Sequence, residues 1–127
     1  MKPLSVIILF LLSLCSFSQN AKDDAPLTIV EQMPEYIGGE SARNKFIQEN
    51  IVYPRKKSER ISGTCYITFV VEKDGSVTGV KLLRGISGGA DYDEEAMRVI
   101  AMMPNWIPGK QNGKLVRVQY NIPIKFK

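Results

Sequence analysis

From Gly63 onward the apolar residues recur at every second position: Cys65, Ile67, Phe69 and Val71 alternate with Thr64, Tyr66, Thr68 and Val70. A period of two predicts a strand with one fully apolar face. Lys73-Asp74-Gly75-Ser76 interrupts the run, and an Asp-Gly pair between alternating stretches signals a hairpin, because both central residues of a type I′ turn need positive φ. Val77 to Arg84 is the expected returning strand, with Val80 and Leu82 inward. The last run, Leu115 to Phe126, alternates most cleanly, with Val116, Val118, Tyr120, Ile122, Ile124 and Phe126 on one side and Arg117, Gln119, Asn121, Pro123 and Lys125 on the other. Two other stretches carry the helical period instead. Glu40 to Ile51 places Ala42, Phe46, Ile47 and Ile51 on one face, and Asp91 to Met103 does the same with Tyr92, Ala96, Val99, Ile100 and Met103. Pro54 ends the first pattern, while Pro104, Pro108 and Gly109 end the second and shape a loop around Trp106. Asn112-Gly113 predicts another turn, and Thr28-Ile29-Val30 a short extended stretch that Pro34 and Gly38-Gly39 close.

The order is therefore helix, strand, strand, helix, strand. Three amphipathic strands and two amphipathic helices most simply form an α+β two-layer sandwich, a mainly antiparallel three-stranded sheet with both helices on one face. Pro123 lacks a backbone donor, so the last strand is expected at or near a sheet edge.

The N-terminus departs from this pattern. Lys2 precedes an apolar run, Leu4 to Phe17, broken only by serines, and Ser16-Phe17-Ser18 has the small-x-small form that signal peptidases recognise. A spanning helix needs about 20 apolar residues, and this run is shorter, with Lys22, Asp23 and Asp24 soon after. Residues 1–18 read as a cleaved secretory signal, residues 19–27 as a disordered lead-in, and residues 28–127 as one domain. A rival reading makes Cys15 a lipid-bearing cysteine, although Leu14 is bulky for such a site, and a signal anchor is a further alternative. Membrane attachment is expected only in those cases.

Composition narrows the function. The chain has 127 residues, 17 Lys plus Arg against 13 Asp plus Glu, a formal charge of +4 and no His. Its basic residues are scattered without the clustered stripe and interleaved aromatics of a nucleic-acid binder, so no nucleic-acid partner is expected. Signal cleavage would leave Cys65 as the single cysteine, excluding an internal disulfide. Without His, the usual serine and cysteine triads and His-bearing zinc sites are excluded. Cys65 falls on the apolar face of a strand, where a thiol behaves as a small hydrophobe. Asp91, Asp93, Glu94 and Glu95 suit the positive end of a helix dipole better than paired catalytic carboxylates or a calcium site. Gly85, Gly88 and Gly89 lack the spacing and the Lys of a phosphate loop. The expectation is a protein that is not an enzyme and uses no cofactor or metal. An exposed edge strand is either protected or used, and its use takes the form of strand addition by a partner's extended segment.

Tyr53-Pro54, the run Gly63 to Val77, Asp93-Glu94-Glu95-Ala96, the block Met103 to Lys114 with its P-x-W-x-P-G core, and Ile122-Pro123-Ile124-Lys125-Phe126 together resemble the C-terminal domain of TonB, the periplasmic energy transducer. The likeness extends over about residues 29–127, and Glu31-Gln32-Met33-Pro34 with Gly38-Gly39-Glu40 is similar to the lead-in of part of that family. The resemblance implies a domain that grips the TonB box, a short segment of outer-membrane transporters, by adding it as a strand along Leu115 to Phe126, with a contribution near Tyr53 and Pro54. The implied partner-binding residues are Tyr53, Pro54, Arg117, Val118, Gln119, Tyr120, Asn121 and Ile122. Of these, Val118 and Tyr120 lie on the packed face, so the backbone and the outward Arg117, Gln119 and Asn121 are the expected contacts; Tyr53 is open between packing and partner contact, and Trp106 is read as a packed anchor for its loop. A complete TonB keeps an uncleaved membrane helix and a long spacer, which this chain is not expected to have. The alternative is a structural or self-associating envelope protein, touching peptidoglycan or forming a homodimer through the edge strand.

Overall fold

A computed structural model describes residues 24–127; the expected signal peptide, Cys15 and residues 19–23 of the lead-in lie outside them. The elements are α1 (Gly39–Asn50), β1 (Gly63–Val71), β2 (Val77–Arg84), α2 (Ala90–Ala101), β3 (Gly109–Gln111), β4 (Lys114–Val116) and β5 (Val118–Phe126), with a single 3-10 turn at Lys57–Glu59. Strands β2, β1 and β5 form one antiparallel sheet in that order, and β3 pairs with β4 in a second, two-stranded one. No helix among the described residues is long and apolar enough to cross a membrane.

The period of two in β1 and β5 works as expected. The β1–β5 ladder runs without interruption from Gly63↔Phe126 to Val71↔Val118. Cys65, Ile67, Phe69 and Val71 of β1 and Ile122, Ile124 and Phe126 of β5 are buried on one face in a core shared with Tyr92, Ala96 and Ile100 of α2, and Val118 is buried on the same face beside Gly109. Helix α1 closes the same layer more loosely: Ala42, Phe46 and Ile47 pack on the core, yet no residue of α1 is fully buried.

Four expectations are corrected. The Asp-Gly turn is not type I′. Only Gly75 is left-handed there, at φ 89°; its N–H donates to Glu72 O (2.9 Å) and Glu72 N–H to Ser76 O (2.8 Å). This is the three-residue hairpin loop with a left-handed glycine at its end. Asp74 instead uses its carboxylate to accept from the N–H (2.9 Å) and Oγ (2.6 Å) of Ser76. The type I′ geometry belongs to Asn112-Gly113, whose φ angles of 53° and 74° join β3 to β4. Second, the alternating run from Leu115 is two strands. Strand β1 ends at Val71, opposite Val118, so Leu115 and Val116 run past its last pairing position and bond to β3 instead. Third, Leu82, expected inward, is 40% exposed, whereas Val80, partly buried, does pack against the core. Bulges shift the β1–β2 register between Tyr66 and Ile67 and between Thr68 and Val70, which spoils strict alternation. Fourth, residues 24–27, expected to be disordered, are docked: the backbone groups of Leu27 bond to Arg117, just before β5, and to Gln119 within it. Beyond them, Gln32 and Glu35 bridge Lys110 and Ile107, adding the lead-in to the outer side of β3.

Candidate edge-strand binding site

Strand β5 is an edge of the main sheet, as Pro123 implied. Gln119 N–H donates outward to Leu27 O (2.7 Å), and Arg117 O accepts outward from Leu27 N–H (2.9 Å). Backbone groups alternate sides along a strand, so those of Arg117, Gln119, Asn121, Pro123 and Lys125 point away from β1, and the missing N–H of Pro123 costs the ladder nothing. Past Leu27, the outward groups from the Gln119 carbonyl onward have no backbone partner among the described residues.

The side chains expected at the site take distinct roles. Val118 and Ile122 are buried core residues. Tyr120 is half-buried in an aromatic stack, its ring centroid 5.2 Å from Trp106 and 5.9 Å from Phe69. Asn121 is exposed. Gln119 donates from Nε2 to Thr68 Oγ1 across the wet face of the sheet (3.1 Å). Arg117 stands where β4 becomes β5. Its guanidinium makes a two-pronged contact with Glu72 (2.6 and 3.1 Å) and also donates to the Asp24 carbonyl. Arg117, followed by the Thr78 hydroxyl, holds the Glu72 carboxyl below its usual range. Glu72 and the Leu27 strip are the participants that sequence reasoning missed. An isolated Glu and one leucine in a polar lead-in carry no periodic signal.

Tyr53 and Pro54 lie elsewhere. The Tyr53 ring meets Phe126 at 5.6 Å and Tyr92 at 6.1 Å, Arg60 stacks over it at 4.1 Å, and its hydroxyl accepts from Lys127 N–H (3.2 Å). Pro54 is exposed. These residues sit beside the far end of β5, about 26 Å along the strand from Val118, so the expected set is strung along the strand and does not converge on one pocket. A cleft of about 650 Å³ opens beside Tyr120, walled by Glu31, Met33, Pro34, Ile107, Pro108 and Lys110.

Trp106 anchors this region. Its ring contacts Tyr36 at 5.7 Å and Phe69 at 5.5 Å, and its backbone N–H donates to Gly75 O (2.7 Å), tying the loop to the tip of the β1–β2 hairpin. The indole Nε1 is buried without a hydrogen-bond partner. Gly109 brings β3 close to β5, since a Cβ there would stand 2.7 Å from Val118 Cγ2.

Most of the groups weighed for chemistry have structural occupations, while Glu94 is simply exposed. Burial pushes the Cys65 thiol up to about 11, which keeps it protonated and unreactive. Asp91 pairs with Arg55 (2.8 and 2.9 Å), Asp93 accepts from Ile86 N–H (3.0 Å), and Glu95 accepts from Arg98 (2.7 Å) and from Val52 N–H (2.6 Å). Among the described residues no group of His, Cys, Asp and Glu is arranged to hold a metal ion. Compared with known families, residues 49–127 match the model described as Gram-negative bacterial TonB protein C-terminal. No curated protein matches the chain.

Proposed function

This chain belongs to the family of Gram-negative bacterial TonB C-terminal domains, and we propose that its β5 edge receives an extended, TonB-box-like segment of an outer-membrane transporter by strand addition. The family is one of non-catalytic domains that act in energy coupling for envelope transport and interact with outer-membrane transporters. The observation that carries the finer reading is the run of outward backbone groups on β5, unpaired from the Gln119 carbonyl through Asn121. Such a run offers a guest strand alternating donors and acceptors, and affinity then comes chiefly from main-chain bonds. Tyr120 and the cleft beside it supply a surface for alternate guest side chains, while Tyr53 and Pro54 can meet only a guest that reaches the far end of the strand. We read residues 1–18 as the export signal that delivers the domain to the periplasm; N-terminal sequencing of the exported protein should begin at Gln19.

The test is an amide-shift titration with TonB-box peptides. Saturable shifts across Val118 to Ile122 are expected. Asn121→Pro should keep the fold, because its N–H points outward as that of Pro123 would, and should weaken binding at least about tenfold, the equivalent of one charge-free hydrogen bond and its geometry. Equal affinity in this variant would place the guest elsewhere. A second reading, self-association, draws on the other sheet edge, where β2 has no strand on its outer side among the described residues and Leu83 is exposed. Concentration-dependent sedimentation without any peptide response would select it.

A further inference from the structure

We infer that residues 24–27 are an intramolecular stand-in for the guest strand, one that must peel away before the first half of β5 can be used. This rests on the strand-addition reading above and concerns what limits it. Leu27 occupies β5 as a strand would: it lies parallel to β5, bridged to Val118, with its N–H on Arg117 O (2.9 Å) and its carbonyl on Gln119 N–H (2.7 Å). The strip is pinned upstream of this bridge. Asp24 forms an ion pair with Lys73 at the β1–β2 hairpin tip (3.0 Å), and the Asp24 carbonyl accepts from Arg117. Downstream the chain leaves the edge at once, since Ile29 is 85% exposed and the next backbone pairing, Gln32 with Lys110, is on β3.

With Leu27 in place, the free outward groups before the donor-less Pro123 are the Gln119 carbonyl and the two groups of Asn121. That leaves three groups of the five that the open edge would offer between Arg117 and Asn121. Releasing Leu27 returns the Arg117 carbonyl and the Gln119 N–H, giving an unbroken edge from Arg117 to Asn121. The clasp is built to be reversible, because it consists of a one-residue bridge, an exposed ion pair and one side-chain bond from Arg117, and a guest strand replaces both backbone bonds that Leu27 gives up. Its apparent effect is that of a competing closed state, which weakens binding in proportion to the fraction of molecules open.

Two variants outside the binding strand test this, Leu27→Pro, which removes the donor to Arg117, and Asp24→Lys, which repels Lys73. In the free, exported protein both should speed hydrogen exchange at the Gln119 amide. Both should also tighten binding of a TonB-box peptide by about three- to tenfold, as expected when a mostly closed site is opened. Unchanged Gln119 exchange, or faster exchange with equal or weaker peptide affinity, would overturn the inference. If wild type and both variants alike give no peptide shifts while Gln119 exchange accelerates, the strand-addition reading itself fails, and the inference with it.

Discussion

Gly75 shows how a single residue joins two distant parts of the chain. Its φ of 89° closes the β1–β2 hairpin, its carbonyl accepts the Trp106 N–H, and a Cβ at this position would lie 2.0 Å from the Trp106 carbonyl oxygen. Gly75→Ala therefore faces both left-handed strain and a backbone clash, and we expect a loss of at least about 2 kcal/mol, read from the denaturant midpoint. Sequence reading found this glycine and assigned it to a turn. Its second role, as a seat for the tryptophan loop, is invisible in a local pattern because the two residues are far apart in the chain. Cys65 is the opposite case: its place in a period-two run already put it in the core, and the structure adds only that burial raises its pKa.

The elements differ in how much of their stability is their own. Strands β1 and β5 pair over nine residues each and bury almost every inward side chain. Helix α1, in contrast, has no fully buried residue and no side-chain hydrogen bond at its N-cap. Local opening free energy follows buried contact, so the amides of α1 should exchange well before those through which β1 and β5 bond to each other under native conditions, and comparable protection would show that α1 is held more firmly than its packing implies. The edge character of β5 was legible from Pro123 alone. Its split from β4 was not, since Leu115 and Val116 continue the alternation and only the end of β1 at Val71 determines where main-sheet pairing stops.

Across the whole molecule, surface ion pairs tie the lead-in, the hairpin and the second helix to their neighbours. The carboxyls of Glu72 (beside Arg117 and Thr78), Asp24 (beside Lys73), Asp91 (beside Arg55) and Glu95 (beside Arg98) are all held below their usual range. A depressed folded pKa contributes stability that is complete above the unfolded value and is lost as pH falls through the folded one. The denaturant midpoint should therefore be level near neutrality and fall once pH drops below the ordinary glutamate value of 4.5. Glu72→Gln should flatten part of that fall; an unchanged profile would show that the Arg117 pair adds nothing in solution, as exposed pairs often do not.

The sequence by itself determined the two-layer α+β fold, the edge position of β5, the buried thiol and the family, because each depends on local periodicity, a missing donor or a short ordered motif. Only the tertiary structure decided that the Asp-Gly turn carries one left-handed residue instead of two, that Arg117 is engaged by Glu72, that Tyr53 packs at the far end of β5 from Val118, and that Leu27 lies on the edge a partner would need. These outcomes depend on where strands end and which segments meet across long separations. Backbone hydrogen bonds formed there are indifferent to side-chain identity, so they leave no period in the chain for a reader to find.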